Sequence, residues 1–207
     1  MRKLKITPKN HFEDHNLRYK ICVSGAAETG HCAADAVEKA EAVGREIAKR
    51  GLVLVTGATT GIPYWAAKGA KSERGLVIGF SPASSKSAHI KTYHLPTDYH
   101  DLIIYTGFNY SGRNLLLTRA SDAIITICGR MGTLNEFTIA FEDQKPSGIL
   151  EGTGGMADML KGILDSSHKD QGKVVFSSDP SELVDMLLEL VESEEKKNGN
   201  HFSRILP

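Results

Sequence analysis

The sequence lacks any run of apolar residues near the roughly 18 that a membrane span requires. Its basic start, Met1-Arg2-Lys3-Leu4-Lys5-Ile6, is not followed by a hydrophobic stretch of signal-peptide length. The expectation is a soluble protein that is neither exported nor embedded. Net charge is also missing: 25 lysines and arginines balance 25 aspartates and glutamates, so no overall field draws the chain to nucleic acid or to an acidic membrane. Both are expected to be absent as partners, and any anion must be held locally. The three cysteines, Cys22, Cys32 and Cys128, are an odd number without CxxC spacing. That argues against a disulfide framework and against structural zinc, and it points to a reducing cytoplasm. A GxGxxG fingerprint and a GxxxxGK[ST] loop are absent too, which sets aside an ordinary dinucleotide dehydrogenase and a P-loop NTPase.

What is present is a rhythm. The chain has 207 residues, enough to bury one full core at 41% hydrophobic and 24% charged content. From residue 19 onward, strand, glycine loop and helix alternate, the signature of βα units around a mostly parallel sheet with helices on both faces. Strands are expected at Tyr19–Ser24, Leu52–Val55, Leu76–Phe80, Leu102–Tyr105, Ala123–Ile127, Ser147–Leu150 and Lys173–Phe176. Helices are expected at Cys32–Arg50, Pro63–Lys71, Arg113–Arg119, Thr133–Asp143, Met156–Ser166 and Pro180–Glu192. The implied class is a Rossmann-like, doubly wound α/β fold of about seven strands, ordered 3-2-1-4-5 with further strands at one end. Residues 1–18 read as a polar arm, 19–192 as a single nucleotide-binding domain and 193–207 as a polar tail. Ser81 to Asp101 breaks the rhythm and is long for a βα connection, so it reads as a surface excursion able to cover a ligand. Its histidines, His89, His94 and His100, match no common helical metal pair and read as a solvated loop.

Glycine turns fall at the carboxyl ends of the expected strands, where an open parallel sheet places its ligand crevice. They are Ser24-Gly25-Ala26-Ala27-Glu28-Thr29-Gly30, Thr56-Gly57-Ala58-Thr59-Thr60-Gly61, Gly79-Phe80-Ser81-Pro82, the run from Cys128 to Glu136, and Gly152-Thr153-Gly154-Gly155. Singly they are tight turns; together they suit a nucleotide, whose phosphate, sugar and base need close backbone approach at different points. In the fourth, Gly129 and Gly132 let N–H groups approach an anion that faces the positive end of the following helix. Thr133-Leu134-Asn135-Glu136 is equally a capping box, with Thr133 and Glu136 satisfying free helix N–H groups and doing no chemistry. Cys128 reads as a small core residue, or as a reactive thiol beside Arg130 and a helix N-terminus.

Cys128-Gly129-Arg130-Met131-Gly132-Thr133-Leu134-Asn135-Glu136 resembles the PGGxGTxxE signature of a Rossmann-like nucleotide-binding family. That family was once labelled lysine decarboxylases and includes the Lonely Guy phosphoribohydrolases. One glycine, the Gly-Thr pair and the glutamate match; Cys128 and Arg130 replace its proline and second glycine. Thr56-Gly57 with Gly61 is similar to the family's second glycine turn, and Gly112-Arg113-Asn114 sits where it carries an arginine that works with the glutamate. The set looks closest to the DprA-related and molybdenum-cofactor-carrier branch.

The resemblance implies a homodimer or higher homo-oligomer, no required cofactor or metal, and an AMP-like nucleoside 5′-monophosphate as ligand. It implies cleavage of the N-glycosidic bond, with Glu136 and Arg113 catalytic. The alternative is a carrier that holds a nucleotide or a pterin-type cofactor without turning it over. Nucleotide and phosphate contacts are then expected from Ser24, Gly25, Gly57, Ala58, Gly61, Asn114, Gly129, Arg130, Met131, Gly132 and Thr133. For Arg130 two outcomes stay open: its guanidinium adds a phosphate contact, or its bulk fills the cradle.

Overall fold

The computed structural model describes residues 17–168 and 173–202, without side chains beyond residue 197. Residues 1–16 of the expected arm and 203–207 of the expected tail lie outside the described residues. All seven expected strands form: β1 (Lys20–Gly25), β2 (Val53–Thr56), β3 (Leu76–Ser81), β4 (Leu102–Tyr105), β5 (Ala123–Ile127), β6 (Ser147–Leu150) and β7 (Val174–Ser177). Between them run α1 (Ala36–Lys49), α2 (Ile62–Ser72), α3 (Lys86–Lys91), α4 (Asn109–Ala120), α5 (Met131–Glu142) and α6 (Gly155–Ser167), and α7 (Pro180–Phe202) follows β7. Every pairing is parallel, giving a Rossmann-like α/β fold with helices on both sides of the sheet.

Strand order differs from the expected 3-2-1-4-5. The sheet reads β4-β3-β2-β1-β5-β6-β7, with β5 directly beside β1 and β4 at the edge beyond β3. Burial explains it. Ala123 to Ile127 is buried at all five positions, as a central strand covered on both faces must be. Leu102 to Tyr105 alternates exposed and half-buried, which suits only an edge. The consequence for function is that the turns after β1 and β5 become neighbours.

The sheet's period of two sorts its side chains into two layers. Ile21, Val23, Leu54 and Ile125 pack with Val43 and Ile47 of α1, Ile62 and Ala66 of α2, and Leu183 and Leu187 of α7. On the other face Cys22, Val55 and Ile124 meet Leu117 of α4 and Ala140 of α5, while Ile149 meets Phe137 and Leu160. Helices α1 and α2 touch backbone to backbone: a Cβ on Gly44 would stand 1.9 Å from the Ala66 carbonyl oxygen, and one on Gly69 equally close to that of Glu41. Only glycine fits either position.

Several local expectations change. The excursion after β3 contains α3, capped by Ser85 Oγ accepting from the Ala88 N–H at 3.1 Å. Its histidines do not share a solvated loop. His89 is fully buried between Ser81 Oγ (2.8 Å) and the Pro96 carbonyl (2.9 Å), and His100 Nε2 meets Thr56 Oγ1 at 2.8 Å. Burial holds the His100 imidazole below its ordinary pKa. Only His94 stays exposed. Finally, α7 continues past the expected stop at Glu192, and α5 starts two residues early, with Arg130 as its N-cap.

Candidate functional site

The turns after β1, β2 and β5, the start of α4 and the excursion after β3 surround a cleft of about 410 Å³. Small-molecule sites run from roughly 300 to 1,000 Å³. The first turn contributes Gly25 to Glu28 and the second Thr59 and Thr60. Tyr93, His94 and Leu95 come from the excursion, Tyr110, Arg113 and Asn114 from α4, and Arg130, Gly132, Thr133 and Glu136 from the start of α5.

Glu136 and Arg113 meet at the wall of this cleft, only 6% and 5% exposed. Arg113 Nη1 donates to Glu136 Oε1 at 2.9 Å, and the Ser24 hydroxyl donates to Oε2. With its amide oriented to suit its neighbours, Asn114 donates to the same Oε1 at 2.8 Å and to the Tyr110 carbonyl at 2.9 Å. Burial pushes the Glu136 carboxyl above the usual glutamate range, while Arg113 and Ser24 pull it back. The capping-box reading falls here: α5 begins at Met131, so Thr133 lies inside its first turn and Glu136 spends its oxygens on Ser24, Arg113 and Asn114.

Gly57 makes room for Arg113. A Cβ there would stand 2.4 Å from Arg113 Nη1, so its missing side chain is the space the guanidinium occupies. Arg113 Nε is buried with no hydrogen-bond partner among the described residues. Such a donor costs about 1–3 kcal/mol to leave unpaired.

The first turn of α5 brings the positive end of a helix dipole to the cleft. Met131, Gly132 and Thr133 head the helix, where N–H groups have no partner within it. A Cβ added to Gly132 meets nothing within 4 Å, so its side faces open space. Gly129, at φ +98°, makes the turn itself: a Cβ there would press on Thr133. Arg130 does not fill the cradle. It reaches across the mouth to Glu28 of the first turn, Nη1 to Oε2 at 3.0 Å, with both side chains more than half exposed.

Of the residues expected to touch a nucleotide, Gly25, Arg113, Asn114, Arg130, Gly132, Thr133 and Glu136 line the cleft. Ser24 and Gly57 stand behind the glutamate and the arginine. Ala58 is buried with its N–H on Thr56 Oγ1, Gly61 packs under the Ala26 carbonyl, and Met131 is 72% exposed outside the lining. Sequence reasoning missed Glu28, Thr59 and Thr60, which lie inside turns already singled out. It also missed Tyr93 and Leu95 of the excursion, and Tyr110, which a helix expected to start only at Arg113 left out.

Cysteine usage needs correction. Cys32 and Cys128 form a disulfide, with Cα atoms 5.6 Å apart and a sequence separation of 96. No local spacing reveals such a pair, because the fold alone brings the turns after β1 and β5 together. Cys128 is therefore a buried half-cystine in this structure, and Cys22, buried in the sheet, is the free thiol.

A family model described as the SLOG cluster4 family matches residues 18–184. The chain belongs to that family. The Rossmann-like branch its motifs resemble is thus the right one, and its fold is the nucleotide-binding or molybdenum-cofactor-carrier-like SLOG fold. An uncharacterized protein of Archaeoglobus fulgidus is 32% identical over 139 residues, 64% of this chain and 86% of the relative. The molybdenum cofactor binding protein of the phototrophic bacterium Rippkaea orientalis superposes with a TM-score of 0.69 at 27% identity, over 86% of this chain and 99% of that one. DNA processing protein A from Helicobacter pylori, solved for its single-stranded DNA binding mode, shares the fold at a TM-score of 0.58 and 18% identity, over 83% and 80% of the chains.

That last likeness overturns the exclusion of nucleic acid as a partner. A fold that binds single-stranded DNA in another protein is not barred from doing so by balanced composition. Whole-chain neutrality also says nothing about Arg113 and Arg130 gathered at one cleft. No helix among the described residues is long and apolar enough to cross a membrane.

Proposed function

We propose that the cleft binds a nucleoside 5′-monophosphate of the AMP type and hydrolyses its N-glycosidic bond, releasing free base and ribose 5-phosphate. The observation that carries this reading is the buried Glu136–Arg113–Ser24 cluster, opening on the cleft beside the N-terminus of α5. The phosphate sits at the N–H groups of Met131, Gly132 and Thr133, where helix dipole and free donors coincide. Arg130 leaves Glu28 to join it. Tyr93 and Tyr110, edge to face with ring centres 5.9 Å apart, offer aromatic surface to the base.

With the sugar between these ends, the Glu136 carboxylate stabilises the oxocarbenium character that grows on the ribose and orients the attacking water. Water oxygen adds to the anomeric carbon, the base departs with the bonding electrons, and the proton lost by water balances the one the base gains. Arg113 holds a ribose hydroxyl or phosphate oxygen, which would pair its orphaned Nε. Hydrolysis needs no cofactor beyond water. We place the reaction in the cytoplasm, where nucleoside monophosphates are available.

One observation favours a second reading, a carrier without turnover: the relative from Rippkaea orientalis is named for cofactor binding. Incubation with AMP and separation of the products decides between them. Adenine release supports the hydrolase; stoichiometric AMP binding without release removes it and leaves the carrier. Failure to bind any phosphate-bearing ligand removes both.

A further inference from the structure

Three side chains beside the cleft have no part in the proposed reaction. His31 Nε2 lies 3.7 Å from Cys128 Sγ, Cys128 is joined to Cys32, and one donor atom from each of the three falls within 4.8 Å of the other two. A tetrahedral zinc ion, with Zn–S about 2.3 Å and Zn–N about 2.0–2.1 Å, sets its ligand atoms about 3.6–3.8 Å apart. The His31–Cys128 separation already has that value. The two sulfurs must part, as they do when the bond between them is reduced, and the His31–Cys32 pair already lies within 4.8 Å.

The backbone around these sulfurs is fixed without the disulfide. The Cys32 N–H donates to the Thr29 carbonyl at 3.0 Å, and the next residue, Ala33, donates to the Thr153 carbonyl at 3.0 Å. The Cys128 N–H donates to Thr153 Oγ1 at 2.9 Å, and the Cys128 carbonyl accepts from Ala157 at 2.9 Å. Reduction therefore leaves both cysteines facing each other. His31 is exposed and Cys32 half-buried, which gives an ion a way in, while Cys128 closes the inner side.

We propose that, in the reduced protein, His31, Cys32 and Cys128 hold one thiophilic divalent cation of the zinc class, with a fourth position left for water or a ligand. A thiol reductant supplies two electrons and two protons to the disulfide and is itself oxidised to a disulfide. The cation then displaces the two thiol protons and is bound by two thiolates and a neutral imidazole. Nε2 gives up its long contact with the Gly129 carbonyl, 3.3 Å, and ligates through its lone pair with the proton on Nδ1. Two thiolates and one imidazole form a soft set that selects zinc over magnesium or calcium. The site does not depend on what the cleft binds.

The test is a cobalt titration of the full chain, reduced with a phosphine that is then removed under anaerobic conditions. The expected result is one equivalent bound, with a thiolate-to-cobalt charge-transfer band and the visible bands of tetrahedral cobalt, all lost on adding zinc. The untreated, disulfide-bonded protein shows neither band. Cys32→Ser abolishes the charge transfer or cuts it by half, and His31→Ala weakens binding at least about tenfold. Circular dichroism of the reduced protein matches that of the oxidised form. Reduced, folded protein without charge-transfer absorption overturns the proposal, as does loss of the fold on reduction. Cobalt binding indifferent to His31→Ala and Cys32→Ser does so too.

Discussion

Two arginine–glutamate pairs border the same cleft at nearly the same separation: Arg113–Glu136 at 2.9 Å and Arg130–Glu28 at 3.0 Å. Their surroundings are opposite. The side chains of the first pair are 6% and 8% exposed, those of the second 53% and 78%. The comparison teaches that separation does not set the value of an ion pair; the solvent it has lost does. Removing one member of a buried pair strands a charge in low dielectric, whereas water replaces either member of an exposed pair. The first pair is thus a fixed frame, held further by Ser24, Asn114 and the gap at Gly57. The second is a solvent-screened link across the cleft mouth, which the proposed ligand phosphate would exchange.

The largest expected effect comes from breaking the frame. Arg113→Ala leaves Glu136 buried with the neutral donors Ser24 and Asn114 but no cation, and should cost roughly 3–5 kcal/mol in denaturant unfolding. Arg130→Ala should stay within about 1 kcal/mol in the same experiment. Equal losses from the two would end the contrast between them.

Two glycines sharpen it next. Gly57→Ala drives a methyl into the guanidinium and should cost about 1–3 kcal/mol while weakening AMP binding. Gly132→Val places its Cβ where no heavy atom lies within 4 Å and should spare stability to within about 1 kcal/mol, yet block the approach of phosphate to α5. If calorimetry finds AMP binding intact in Gly132→Val, the phosphate is not where we place it.

Proton linkage gives a smaller effect. Because burial raises the Glu136 pKa in the folded state, the native protein holds a proton that the unfolded chain has released once pH exceeds the ordinary glutamate value. Stability from this group is complete below that value and falls as pH rises through the raised one. In the proposed reaction the ionised form acts, so turnover should rise across the same interval. Glu136→Gln should flatten the stability profile there; a profile identical to wild type contradicts the assignment.

Reading from sequence succeeded where the signal was local. Ala123–Ile127, the glycine turn after it and the pairing of Glu136 with Arg113 were all legible, the last through the family likeness. What failed was of longer range. The place of β4 at the edge depended on the burial of Leu102 to Tyr105, which an apolar string of four does not reveal. Cys32 and Cys128 are joined only because β5 lies beside β1. His89 looked solvated amid serines and prolines, and its burial rests on partners, Ser81 and Pro96, that only the folded excursion brings to it. Thr133 to Glu136 fitted a capping box by composition, but a helix that begins at Met131 turns the carboxylate inward.

The central claim is that Glu136, held by Arg113 and Ser24, acts on a nucleoside 5′-monophosphate bound at α5. Single-turnover release of adenine from bound AMP, compared between wild type and Glu136→Gln, tests it most directly. We expect the variant to bind AMP and to release adenine at least about 10²-fold more slowly. Equal rates from the two proteins would contradict the account.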